Sequence, residues 1–110
     1  MSSVLFVRIK SDLETAEFDR RLLARRPLFH DVPGLVQKVY GREPMTGDVC
    51  GIYFFQDAEA LATFRESELA MGIPGAYEAR DVRREAFEVL YSLRPERGPF
   101  LQEDRLAETP

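Results

Sequence analysis

One histidine, four tyrosines and a few well-placed arginines are the side chains of this chain best suited to chemistry. His30 is the single group that titrates near neutral pH when unperturbed. It follows Phe29 where the first predicted helix ends, near an expected pocket mouth, and is a candidate base for an acidic phenol. The plain alternative is a solvent-facing turn histidine. Tyr53 and Tyr40 fall in predicted strands, where a phenol can hydrogen-bond a substrate oxygen or merely reach out of a packed ring. Gly51 precedes Tyr53 by two residues on the same strand face. A glycine inside a strand marks a bulge or a close approach of backbone or ligand, and the space beside it favours Tyr53 as the catalytic tyrosine. Arg25 lies next to a Phe18–Leu22 stripe, where it can hold an anionic group or cover apolar surface with its stem. Arg8 offers a similar choice between pocket cation and ion pair at the sheet edge. The lone Cys50 reads as a small buried hydrophobe, and its solitude excludes an internal disulfide or a cysteine-based zinc site. No glycine-rich phosphate loop and no His/Asp/Glu spacing for a metal is present.

The elements that must position these groups centre on residues 33–64. Residues 35–40 and 49–55 are extended runs around a turn-rich stretch, 41–48, with two glycines and Pro44, so the pair reads as a β-hairpin. Asp57 is an N-cap for a helix over 58–69, with Glu59 in the first turn where the helix dipole favours a carboxylate. Upstream, residues 4–10 form a strand with Leu5, Val7 and Ile9 on one face and Val4, Phe6 and Arg8 on the other. Ser11 and Glu14 match a capping box for a helix over 13–26, whose Phe18 and Leu22 face the sheet. Pro27 forces a stop or kink. Residues 72–75 end the second helix, residues 80–84 are charged and resist assignment, and 86–93 is the last strand.

The order β-α-β-β-α-β is the split pattern of a ferredoxin-like α+β fold with a four-stranded antiparallel sheet. Two helices cover one face. The other face is also apolar, and a second copy of the chain is the commonest way to cover it, which predicts a face-to-face homodimer. Residues 1–93 are the domain. Residues 94–110 are a frayed tail or a dimer arm docking through Phe100.

At 110 residues with net charge −4, the chain is one globular domain and a poor match for nucleic acid, whose binding needs clustered unopposed Lys and Arg. No leader and no stretch of bilayer length is visible, so no membrane partner and a cytoplasmic location are expected.

The run Pro33-Gly34-Leu35-Val36-Gln37-Lys38-Val39-Tyr40, followed by Gly51-Ile52-Tyr53-Phe54-Phe55, Asp57 and an Ala/Leu-rich helix, resembles the YdhR-type monooxygenase family. That family belongs to the antibiotic-biosynthesis-monooxygenase group of dimeric α+β barrels. The resemblance spans most of residues 4–93. It implies a homodimer with a shared barrel and, in each subunit, a pocket between sheet and helices for a small apolar or aromatic ligand. It further implies a cofactor-independent monooxygenase, using neither flavin, haem nor metal, that acts on a small aromatic or polyketide-like substrate. In such enzymes an ionised, electron-rich substrate reduces dioxygen itself, inside an apolar cavity that holds the phenol and excludes water. On this reading His30 and Tyr53 are catalytic, and Arg8, Arg25, Phe29, Tyr40 and Gly51 bind substrate. Active relatives often place Trp and Asn around the substrate, and this chain has neither. The competing class is a non-catalytic dimer that binds a small apolar molecule or serves as a stress-related accessory subunit.

Overall fold

Four antiparallel strands lie side by side in the order β2-β3-β1-β4, with every helix on one face of the sheet. The computed structural model describes residues 2–95. The elements are β1 (Ser3–Ser11), α1 (Thr15–Arg25), a 3-10 turn (Arg26–Phe29), β2 (Leu35–Arg42), β3 (Val49–Phe55), α2 (Ala58–Arg65), two short helices α3 (Glu68–Met71) and α4 (Ile73–Ala76), and β4 (Ala79–Glu88). This is the α+β ferredoxin-like architecture.

Period-two patterning builds the core. Leu5, Val7 and Ile9 of β1 and Val49, Tyr53 and Phe55 of β3 are buried under the helices, which contribute Phe18, Leu61 and Phe64. Phe18 stacks on Tyr77, centroids 4.6 Å apart. Val4, Phe6, Cys50, Ile52 and Phe54 turn to the other face and are half-buried, joined by Val39 and the exposed Phe87. Register aligns them: Val4 lies between Phe54 and Phe87, and Ile52 between Phe6 and Val39. The expected apolar second face is therefore present.

Local chemistry sets the element ends, not always as the sequence predicts. Asp57 caps α2 by accepting from the Ala60 amide at 2.7 Å. Pro27 sits in the first turn of the 3-10 segment, where a missing N–H costs nothing. The Ser11–Glu14 capping box does not form. Ser11 is still part of β1, and its hydroxyl donates to the Tyr77 carbonyl at 2.6 Å while accepting from Leu13 N at 3.2 Å. The helix expected over 58–69 breaks at Glu66, because Ser67 starts a new turn by accepting from Ala70 N at 3.2 Å. Gly72 and Pro74 then open α4 instead of ending helical structure.

The last strand is displaced from 86–93 to Ala79–Glu88. It is an edge strand paired along all of β1, from Ser3 opposite Glu88 to Lys10 opposite Asp81. An edge strand facing water accommodates the charges of Arg80–Arg84 that obscured it. The Phe100 arm expectation lies outside the described residues. Among the described residues, no helix is long and apolar enough to cross a membrane.

Candidate functional site

A cleft of about 350 Å³ opens between β2 and the turn after α1. Phe29, His30 and Arg26 line it from the turn; Leu35, Val36, Gln37, Lys38 and Tyr40 line it from β2. The β2 contribution depends on an irregularity. The β2–β3 register shifts between Leu35 and Gln37, so that Val36 is an extra residue in the strand. Without that shift Leu35 and Lys38 would face opposite sides; with it, both are half-buried, and Lys38 and Tyr40 turn toward the helices. Lys38 is thereby set across from Tyr53, and Tyr40 across from Gly51.

Lys38 forms the chemical centre. Its Nζ lies 2.9 Å from the ring centroid of Phe29, 4.3 Å from that of Tyr40 and 4.5 Å from that of Tyr53. It is buried and has no hydrogen-bond partner in the protein. Ring faces attract an ammonium by about 0.5–2 kcal/mol each. Removing an ammonium from water costs several kcal/mol. Burial, with repulsion from the Arg25 guanidinium, outweighs the rings and pushes the Lys38 amine down to about 6, so it is largely neutral at pH 7.

Two further unpartnered polar atoms, Arg25 Nε and Tyr77 Oη, are buried in the same layer between sheet and helices. Arg25 spans it: its guanidinium stacks over Tyr77, 5.7 Å from the centroid, and one terminal nitrogen donates to the Leu69 carbonyl at 3.2 Å. The hydroxyls of Tyr40, Tyr53 and Tyr77 influence one another, and burial pushes all three phenols up, Tyr40 and Tyr53 well above their usual value. They stay protonated donors.

Phe29, His30 and Tyr40 share the cleft. Phe29 is a buried wall, whereas His30 is exposed at the rim. Tyr53 is buried behind the cleft, in an aromatic cluster with Phe55 and Phe64. Gly51 does make space, and the two tyrosines fill it: a Cβ there would stand 3.0 Å from the Tyr53 ring and 3.3 Å from that of Tyr40. Arg25 does not line the cleft but stacks on Tyr77, and its charge is felt at Lys38. Arg8 is not brought to the cleft. It lies on the opposite sheet face, donating to Asp48 at 2.8 Å and to Thr46 at 3.3 Å. Sequence reasoning passed over Lys38. The signal was its place two residues before Tyr40 in a strand whose hairpin partner carries Tyr53. Among the described residues, no cluster of three or more metal-ligating side chains forms.

No family model and no curated protein matches the chain. Solved structures do. SnoaB, a cofactor-independent oxygenase from Streptomyces nogalater, superposes with a TM-score of 0.69 at 18% identity, over 86% of this chain and 98% of its own. A Deinococcus radiodurans protein proposed as an antibiotic biosynthesis monooxygenase gives 0.65 at 12%, over 86% and 97%. A dimeric ferredoxin-like protein from Jannaschia gives 0.63 at 16%, over 81% and 100%. At these identities the likeness establishes a shared fold, the one expected of the antibiotic-biosynthesis-monooxygenase group.

Proposed function

We propose that this protein is a homodimeric, cofactor-independent monooxygenase of the YdhR type, acting on a small aromatic or polyketide-like substrate. The observation that carries this reading is the cleft itself: aromatic walls around a few buried polar groups, on a fold shared with an oxygenase. A phenolic substrate packs against Phe29 and Tyr40. His30 at the rim takes the phenolic proton. The Arg25 charge favours the resulting anion, and Tyr53 with Tyr40 supplies protonated hydroxyls from behind, in the space that Gly51 leaves. The electron-rich anion then reduces dioxygen. In the net reaction an activated methylene becomes a carbonyl, one oxygen atom entering the product and the other leaving as water. Arg8 has no part in this site. Its pairing with Asp48 supports the opposite sheet face.

Oxygen uptake with a panel of hydroxyquinols and anthrones tests the proposal. The wild type should consume oxygen above the buffer rate, and His30→Ala and Tyr53→Phe should each lower that rate about tenfold or more, the usual range for losing a positioned proton-transfer group. No uptake by the wild type removes the oxygenase reading. Uptake that neither substitution changes removes the assignment of these two residues.

A further inference from the structure

The whole chain contains two lysines against thirteen arginines. One of them, Lys10, is exposed on the sheet face away from the helices, 4.0 Å from Asp48. The other is Lys38, with its amine buried among three aromatic rings, free of any hydrogen bond, and its stem lining a cleft large enough for a single-ring molecule. A buried arginine would remain charged and unreactive, whereas a lysine so placed keeps a lone pair.

We propose that Lys38 is a nucleophilic amine that captures small aromatic aldehydes or ketones as imines in this cleft. The geometry supplies each requirement. A rotamer change carries Nζ from the Phe29 ring into the cleft, whose lining includes Phe29 and Tyr40 for an aryl group to pack on. The Nζ lone pair attacks the carbonyl carbon, a C–N bond forms, and the carbonyl π pair moves to oxygen. Two successive proton transfers from nitrogen to that oxygen, relayed through the Tyr40 hydroxyl, first give the carbinolamine and then break its C–O bond, releasing water and leaving the C=N bond. The sequence is redox-neutral and needs no co-reactant. This activity stands apart from the oxygenase reading, because no step involves dioxygen.

The test is reductive trapping on the intact protein, with benzaldehyde and cyanoborohydride at pH 7.5, read by mass spectrometry and peptide mapping. One benzyl group should add at Lys38, at least about tenfold faster than at Lys10, since an ordinary lysine amine is almost wholly protonated at this pH. The Lys38 rate should rise through about pH 6 and then level. The charged or titratable groups around Lys38 are Arg25, Arg26, His30, Tyr40 and Tyr53. His30→Gln tests whether the step belongs to Lys38, and should leave it in place. Lys10→Arg should retain the Lys38 adduct, and Lys38→Arg should abolish it. Equal labelling of Lys10 and Lys38, or no labelling of Lys38 in the folded wild type, overturns the proposal. The oxygen-uptake result is unaffected by either outcome.

Discussion

Lys38 costs the fold stability for as long as its amine is buried without a partner. A buried donor left unsatisfied costs about 1–3 kcal/mol, and methionine fills the same volume with no polar atom. Lys38→Met should therefore raise the unfolding free energy at pH 7 by about 1–3 kcal/mol, measured by urea denaturation. The gain should shrink on going to alkaline pH. The folded amine has a pKa of about 6 against an ordinary 10.5, so between these values the unfolded chain holds a proton that the native chain lacks. Wild-type stability then rises with pH across that window, whereas the methionine variant lacks this dependence. At this scale the sequence was partly legible. Phe29, His30 and Tyr40 meet in one cleft because a turn and a strand can be placed from local signals. Lys38 was missed because a lysine is almost never buried without a partner, so its place on one strand face with Tyr40 reads as a solvated position.

The β2–β3 hairpin and the turn before it are the element on which the cleft depends. Gly34 adopts φ +77°, and its carbonyl accepts from Gln56 N at 2.8 Å, tying the start of β2 to the end of β3. A Cβ at Gly34 would stand 2.5 Å from the Ala60 Cβ on α2. Gly47, in the hairpin loop, has φ +78° with nothing within 4 Å of such a Cβ. Both positions strain an L residue, but only the first also clashes. Gly47→Ala should cost about 1 kcal/mol and Gly34→Ala about 2–4 kcal/mol, and chemical denaturation of both variants isolates the α2 contact as the difference. The hairpin, the Asp57 cap and the Phe18–Leu22 stripe were readable because each is a local signal of turn, cap or period. β4 was not, since its place follows from pairing with β1, and its charged, water-facing residues lack the alternation of a half-buried strand.

For the whole molecule, the apolar sheet face away from the helices is the feature that bears on assembly. Val4, Phe6, Ile52 and Phe54 are contiguous with Val39 and Phe87 across all four strands, and apolar patches of this kind mark interaction surfaces. In the proposed homodimer two such faces meet. Light scattering at micromolar concentration should give the mass of two chains. Ile52→Lys, which places a charge at the centre of the patch, should give the mass of one while α1 and the cleft stay folded by circular dichroism. A wild-type monomer at that concentration removes the dimer. The sequence showed this surface clearly because β1 and β3 are apolar at successive positions, a pattern that only a doubly covered sheet needs.

In β2 and β3 each residue that points at the cleft has neighbours that point away from it: Lys38 and Tyr40 flank Val39, and Tyr53 stands between Ile52 and Phe54. A backbone so shared transmits any loosening of one side to the other. If the chain is the homodimeric oxygenase proposed above, serial dilution should therefore erode turnover per chain at the same concentrations where the pair comes apart, making catalysis itself a gauge of self-association.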